Sequence, residues 1–216
     1  MEELKRSGRP ARPASPQPTA ASVDLPAAAL AIEAFLTALG HPPSSDVQLA
    51  STGRLVAHAF HEELLRGYRM DPAQILADSV AISGSDFVVL RDLDITCMCP
   101  HHLLPASGVV HVGYVPNGKV VGLGALARLV ECFSRRFILQ ETLCEQVADA
   151  LVSQLGARGA GCIAELEPAC LRARGEEPAH ARVVSMASAG ALRDDASLRR
   201  EFLQLAGMST QREPVA

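Results

Sequence analysis

Residues 97–105, with the sequence Cys-Met-Cys-Pro-His-His-Leu-Leu-Pro, constrain this chain more than any other stretch. Cys99 and His102 stand in a Cys-x-x-His spacing, which allows a thiolate and an imidazole to bind one metal ion from a single tight turn. Zinc is the expected metal because it accepts mixed sulfur and nitrogen ligands in a tetrahedron. If His102 is a ligand, His101 points elsewhere and is available for proton transfer.

Two ligands do not complete a metal site, so a further ligand must come from elsewhere in the chain. Three protein ligands with an open fourth position indicate catalysis, whereas four indicate a structural role. The alternative is that these residues are small buried cysteines and turn histidines. A histidine in a strand, as predicted for His111, is more often structural than a ligand. The remaining candidates are Cys97, Cys132, Cys144, Cys162, Cys170, His111 and His180.

The hydrophobic pattern predicts an α+β domain, with strand pairs flanking two helices and N-terminal helices preceding them. Leu55 is expected in the buried stripe of the second helix, and Gly67 is expected to end that helix. Pro116-Asn117-Gly118 predicts a hairpin, because Asn-Gly tolerates positive φ. The predicted helices are 25–39, 52–66, 125–136, 142–155 and 197–206. The predicted strands are 87–95, 109–115, 119–123, 162–167, 170–174 and 181–187.

The length of 216 residues and the net charge of −4 fit one domain that can bury a core without disulfides. We expect residues 1–24 to be a disordered tail, 25–207 to form the domain and 208–216 to be a loose tail. Six cysteines without a secretory signal predict reduced thiols and a cytoplasmic location. The absence of a long apolar run argues against a membrane, and the slight acidity argues against a nucleic-acid partner.

Further motifs follow the Cys-Pro-His-His turn. They are Tyr114-Val-Pro, Gly122-Leu123, Ala127-Arg128-Leu-Val, Gln140-Glu141 and Cys170-Leu-Arg-Ala-Arg174-Gly175. From Thr52 to Leu205 the chain resembles GTP cyclohydrolase I. The motifs of that family are Cys-Glu-His-His, Tyr-Ile-Pro, Gly-Leu-Ser-Lys, Gln-Glu-Arg, His-x-Cys and Arg-Gly, in the same order and with similar spacing. The match is therefore highly specific.

The resemblance implies the tunnelling fold (T-fold), an antiparallel sheet with two helices on one side, preceded by N-terminal helices. It also implies self-association as a decamer of two face-to-face pentamers, with active sites at subunit boundaries. By resemblance Cys170 is the third zinc ligand beside Cys99 and His102, which leaves one position for water. The implied reaction is zinc-dependent hydrolytic opening of the guanine imidazole ring of GTP, which gives formate and 7,8-dihydroneopterin triphosphate.

The resemblance also implies roles for individual residues in this reaction. His101 is the nearest candidate for the proton transfers of catalysis. Glu141 would recognise guanine, because one carboxylate accepts from both N1–H and the 2-amino group, and Gln140 would assist it. Without this context the charged residues would be interpreted as solvated surface groups. The residues expected to hold phosphate through guanidinium contacts are Arg128, Arg174 and, from a neighbouring subunit, Arg54.

The chain departs from the family motifs at five positions. Pro168 stands where the family has a catalytic histidine two residues before the third ligand. Gly124 and Ala125 replace a Ser-Lys pair of the phosphate pocket. Thr142 replaces the arginine of Gln-Glu-Arg, and Pro100 replaces the glutamate of Cys-Glu-His-His. The residues implied to bind the metal and the guanine base are thus retained, while some of those implied to bind the triphosphate and to transfer protons are replaced.

Three functional hypotheses remain at this point. The first is an enzyme that completes the family reaction with other groups replacing the missing histidine. The second is a ring-opening hydrolase on GTP, GDP or GMP that releases a formamidopyrimidine or diaminopyrimidine intermediate for a specialised pathway. The third is a noncatalytic nucleotide-binding relative. Retention of the metal ligands and Glu141 weighs against the third, because a binding protein does not need an open zinc position.

Overall fold

A computed structural model describes residues 23–84, 86–175 and 181–208. The tails predicted at 1–24 and 208–216 lie outside these ranges except for Val23, Asp24 and Met208. The described α-helices are α1 Leu25–Ala38, α2 Thr52–Ala59, α3 Pro72–Ala77, α4 Leu123–Ser134, α5 Gln140–Ser153, α6 Ala169–Ala173, α7 Ala191–Asp194 and α8 Ala196–Leu205. The strands are β1 Ser79–Ala81, β2 Val88–Met98, β3 Pro105–Val115, β4 Lys119–Val121, β5 Gly159–Pro168 and β6 Val183–Gly190.

The main sheet contains four antiparallel strands in the order β2-β3-β5-β6. Side chains alternate between its faces along β5. Cys162 and Ala164 belong to the large core under α4 and α5, whereas Ile163 belongs to a smaller cluster with Phe202 of α8. The predicted α+β architecture with two helices on one side of an antiparallel sheet is therefore confirmed, and α8 covers part of the other side.

The second predicted helix is interrupted earlier than the sequence pattern indicated. The α-helix ends at Ala59, and a π-helical turn, Phe60–Leu64, and a 3-10 turn, Arg66–Arg69, follow it. Leu55, expected in the buried stripe, is 56% exposed, and the buried residues of α2 are Gly53 and Ala57. Gly67 is required for close packing, because a Cβ there would lie 2.3 Å from the Cys132 carbonyl oxygen.

The predicted hairpin between 109–115 and 119–123 does not form a strand pair. Gly118 has the expected positive φ of 77°, but β4 pairs with β1 in a separate two-stranded sheet. The reason is that β3 already has β2 on one edge and β5 on the other. The side chain of Tyr114 on β3 links β3 to β4 instead, because its hydroxyl accepts a hydrogen bond from the Val121 N–H of β4 at 3.1 Å.

The strand predicted over 170–174 is wrong, because this segment forms the short helix α6. The strand β5 ends at Pro168, a residue that has no N–H to donate to a ladder. The residues after it, Ala-Cys-Leu-Arg-Ala, are mostly good helix formers. None of the described helices is long and apolar enough to span a bilayer.

Candidate metal centre

The Cys99–His102 turn forms the tip of the hairpin that joins β2 to β3. Met98 pairs with Pro105 as the last pair of this ladder. The Cys99 N–H donates to the Leu104 carbonyl and the Leu103 N–H donates to the Cys99 carbonyl, both at 3.0 Å. Leu103 has a φ of 54°, an unfavourable value for a residue with a Cβ. The turn is thus held closed by its own backbone at the point where the predicted ligands lie.

Cys170 is brought to this turn by the pairing of β3 with β5. Ala106 at the start of β3 lies opposite Pro168 at the end of β5, so α6 begins beside the turn. One ligand atom from each of Cys99, His102 and Cys170 lies within 4.8 Å of the other two. Two thiols and one imidazole are a donor set that suits zinc, and three ligands leave one coordination position. The donor set therefore fits the implied metal.

The other candidate ligands do not join this group. The thiols of Cys132, Cys144 and Cys162 are buried in the core. Burial raises the pKa of the Cys132 thiol, and a hydrogen bond with Cys144 together with burial raises the pKa of Cys162. Cys97 lies next to the group formed by Cys99, His102 and Cys170. Its pKa is raised to about 11, mainly by burial and also by the neighbouring Cys99. His180 lies outside the described residues.

His111 has a structural role, as a histidine in a strand was expected to have. It is 5% exposed, and its Nδ1 accepts a hydrogen bond from the Asp92 N–H at 3.2 Å. Asp92 lies at a bulge where the register between β2 and β3 shifts, and it has a φ of 56°. The imidazole therefore satisfies a backbone group that the bulge removes from the ladder.

A pocket of about 170 Å³ lies against the metal group. Cys99 and Cys170 line one side of it, and Glu141 in the first turn of α5 lines another. Glu141, which is exposed, is thus accessible to a ligand that also reaches the Cys–His–Cys group. Apart from Pro105, which ends the 97–105 stretch, the pocket residues that the sequence did not indicate are Ala106, Ile138, Leu139 and Val183. They are small or apolar wall residues with no recognisable motif.

Gln140 lines the same pocket but is largely engaged with the protein. Its amide nitrogen donates to the carbonyl oxygens of Ala164 on β5 and Val183 on β6, both at 2.7 Å. These two bonds fix the start of α5 to the sheet. These bonds leave the side-chain amide oxygen of Gln140 available to accept a hydrogen bond from a ligand.

Two of the remaining predicted site residues lie beside the Cys–His–Cys group and its pocket, and two do not. Arg174 is adjacent, with its Nη1 3.2 Å from His102 Nε2. His101 is exposed, and its ring centroid lies 6.4 Å from that of His102. Arg128 on α4 and Arg54 on α2 are exposed and are not among the residues that line the pocket. The described chain thus brings together the residues predicted to bind the metal and the base, but not all of the residues predicted to bind phosphate.

The departures from the family motifs have distinct positions. Pro168 lines the metal pocket itself. Gly124 is exposed at the start of α4, where an added Cβ would lie 3.5 Å from Arg128 Nη1. Ala125 is only 5% exposed, so a longer side chain at this position would have to extend out of the core. The structure thus places Pro168, which has no titratable side chain, in the pocket beside Cys99 and Cys170.

An α+β fold with a Cys–His–Cys group beside a small pocket fits the class of metal-dependent hydrolases, in which three protein ligands leave one position open for water. Comparison with known proteins identifies the family. The model of the GTP cyclohydrolase I family matches residues 28–207. The chain belongs to the GTP cyclohydrolase I family, which confirms the predicted T-fold class.

Individual relatives match over most of their own length. GTP cyclohydrolase 1 of Campylobacter lari is 39% identical over 181 residues, which cover 83% of this chain and 94% of that protein. The protein of the same name from Pseudoalteromonas translucida is 40% identical over 174 residues, covering 80% and 94%. The one from Dehalococcoides mccartyi is 38% identical over 176 residues, covering 81% and 92%.

Proposed function

We propose that this protein hydrolytically opens the imidazole ring of the guanine base of GTP and forms formate and 7,8-dihydroneopterin triphosphate. The observation that carries this proposal is the convergence of Cys99, His102 and Cys170 beside Glu141 at one pocket. Ring opening at C8 requires a metal group and a base-recognition group on the same small ring system. Membership of the GTP cyclohydrolase I family supports the same reaction.

Zinc is the metal that we propose for the Cys99, His102 and Cys170 group. Two thiolates and one neutral imidazole match its preference for mixed sulfur and nitrogen ligands. When bound, zinc supplies Lewis-acid activation of water at neutral pH. The three ligands come from the β2–β3 turn and from α6, which the register of β3 and β5 holds together.

Guanine selectivity is assigned to Glu141. One carboxylate accepts from both N1–H and the 2-amino group of guanine, whereas adenine offers an acceptor at N1. Gln140 supports this contact indirectly, because its bonds to Ala164 and Val183 fix the helix turn that carries Glu141. Its amide oxygen is the group through which it would also contact the base.

Proton transfer and phosphate binding are assigned to residues at the rim. His101 is exposed beside His102, where its imidazole is accessible to substrate for proton transfer. Arg174 beside His102 is the phosphate-binding guanidinium of the same subunit. Arg128 and Arg54 lie away from this pocket, and we propose that they reach a substrate at a subunit boundary.

Self-association is supported by the surface of the N-terminal helices. Helix α1 is almost entirely apolar, yet none of its residues is buried. Leu30 and Phe35 of α1 and Leu39, which follows it, are 65%, 61% and 59% exposed, and Leu55 of α2 is also exposed. An apolar surface of this kind is typical of a protein–protein interface. We propose that it is covered by other copies of the chain, in a decamer of two pentamers.

A second outcome of the reaction is favoured by Pro168. Ring opening needs the metal and Glu141, whereas the later ribose rearrangement and ring closure need additional acid–base groups. Pro168 lines the pocket and cannot supply one. Release of a formamidopyrimidine or diaminopyrimidine from GTP, GDP or GMP is therefore the alternative product pattern.

Mass spectrometry of the products from GTP, GDP and GMP tests the proposal. Formate and dihydroneopterin triphosphate from GTP are the expected end products, with opened-ring species accumulating before the pterin forms. Accumulation of an opened-ring species without pterin would identify the alternative. Binding of GTP with no change in the nucleotide would overturn both and leave a noncatalytic relative. Native mass spectrometry of the same preparation measures whether the subunit count is ten.

A further inference from the structure

Residues 136–140 lead from the end of α4 into the start of α5. Within this 136–140 segment, Ile138 and Leu139 form part of the wall of the pocket beside the Cys–His–Cys group. The Ile138 N–H donates at 3.1 Å to the carbonyl of Met98, the last residue of β2. Glu141 directly follows the segment. The position of the segment therefore affects both the pocket wall and the first turn of the helix that carries Glu141.

The first residue of this segment, Arg136, is a buried cation. It is only 8% exposed, and no carboxylate among the described residues forms an ion pair with it. Its Nε donates to the carbonyl oxygens of Cys132 and Gly67 at 2.7 and 3.1 Å, and its Nη2 donates to the same Gly67 oxygen at 2.9 Å. A buried charge with only neutral partners depends on keeping those hydrogen bonds. The guanidinium thus joins two backbone positions that are 65 residues apart.

Two aromatic rings also contact the Arg136 guanidinium. Its Cζ lies 4.9 Å from the Phe133 ring centroid and 5.6 Å from the Tyr68 ring centroid. Both distances are within the range of cation–π attraction. A lysine cannot make all of these contacts together, because its ammonium lacks the planar fork of donors. The arginine side chain therefore fixes the end of α4 against the 3-10 turn Arg66–Arg69.

We propose that Arg136 is a positioning residue for the pocket beside the Cys–His–Cys group. Arg136 is not among the residues that line this pocket, so it acts through the 136–140 segment. By fixing the start of the segment, it holds Ile138 and Leu139 in the wall against which a guanine base would pack. This inference rests on the proposed function, because it takes the base to bind between this wall and Glu141.

Kinetic measurements on zinc-loaded, full-length Arg136→Lys test the proposal, with Arg135→Lys as the matched control. Arg135 is the preceding residue, and its side chain forms no hydrogen bond or ion pair with the described residues. We expect Arg136→Lys to raise the KM for GTP about fivefold and to change kcat by less than about twofold, because it weakens base binding and leaves the metal group intact. Arg135→Lys should change neither constant, and the zinc content should be the same in both variants.

Hydrogen exchange of the same proteins gives a readout that does not depend on catalysis. The Ile138 amide should exchange about tenfold faster in Arg136→Lys, whereas the amides of β3 and β5 should exchange as in the unmodified protein. Tyr68→Leu is a milder variant that keeps Arg136 and removes one of its aromatic neighbours. It should raise the KM and the Ile138 exchange rate about twofold, and it decides the question if Arg136→Lys does not fold.

An unchanged KM for GTP, or unchanged exchange at Ile138, would overturn the proposal. A lower kcat with an unchanged KM, or faster exchange throughout the sheet, would also overturn it, because either result shows only a loss of folded protein. An unmodified protein that does not open the guanine ring would instead contradict the proposed function. In that case, faster exchange confined to the 136–140 segment in Arg136→Lys would still support the positioning role, and unchanged exchange there would overturn it.

Discussion

Glu141 and Cys170 line one pocket, although Glu141 lies in the first turn of α5 and Cys170 lies in α6 after β5. Both positions are fixed by the same strand. Gln140 donates to the Ala164 carbonyl of β5, and Pro168 ends that strand before α6. The residues proposed for base recognition and as the third metal ligand are therefore held in a common frame by the side-chain hydrogen bond of Gln140 and by the end of β5.

Replacing Glu141 by Gln should reduce kcat/KM for GTP strongly. The amide keeps the shape but turns one acceptor into a donor that faces the donors of guanine. The loss should be about 2 kcal/mol or more, or roughly 30-fold. Glu201→Gln on α8, an exposed residue outside the pocket, is the control. An unchanged kcat/KM in Glu141→Gln would remove Glu141 from base recognition.

Replacing Cys170 by Ala should greatly weaken zinc retention. Removing one of three protein ligands leaves two, which is too few for a stable zinc site. Metal analysis after dialysis against a chelator measures the effect. Cys97→Ala is the matched control, because Cys97 lines the same pocket but is outside the ligand group. Stoichiometric zinc in Cys170→Ala would contradict the assignment, as would equal zinc loss in both variants.

The preference for GTP over GDP and GMP should be smaller than in relatives that carry the Ser-Lys pair. A lysine contact to phosphate is worth about 1.5–3 kcal/mol, and Gly124 and Ala125 cannot make it. Arg128 and Arg174 should maintain some preference. The ratio of kcat/KM values for the three nucleotides measures this. A protein that turns over GTP but neither GDP nor GMP would show that other groups replace the lysine.

Opened-ring species should accumulate relative to the pterin product. Loss of one acid–base group typically lowers the rate of the step it serves by about 10²–10⁴-fold, and Pro168 occupies the position of such a group. A time course that follows formamidopyrimidine and dihydropterin together measures the ratio. Pro168→His adds the imidazole, but it also changes the end of β5, so it need not restore pterin formation. Pterin formation in step with GTP loss in the unmodified protein would contradict this prediction.

The structure brings together the three residues that the sequence analysis expected to bind a metal, but it contradicts the expected strand pairing. Spacing identified Cys99 and His102, and family resemblance identified Cys170, although the expected strand over 170–174 is helix α6. The position of β4 could not be predicted from turn chemistry, because it depends on β3 having both edges occupied. Leu55 was misassigned because helical periodicity alone does not show which apolar positions pack into the core of the subunit and which remain exposed on it.

The hydrogen bonds by which Gln140 holds α5 to the sheet could not be predicted from the sequence either. A glutamine beside Glu141 suggests assistance in base recognition, but its amide nitrogen bonds to two strands that are distant in sequence. The pocket wall at Ile138 and Leu139 has no motif at all. Such features depend on the packing of α5 on the sheet, and only the three-dimensional arrangement reveals them.

The Cys99, His102 and Cys170 group is proposed to support metal-dependent opening of the guanine ring. The most direct measurement is the sum of formamidopyrimidine and formate formed from GTP by the purified protein, before and after metal removal by a chelator and after addition of zinc. We expect ring opening that stops on metal removal, returns with zinc, and does not return in Cys170→Ala. Ring opening that survives metal removal, or that is unchanged in Cys170→Ala, would contradict this assignment, as would the absence of both products from the zinc-loaded protein.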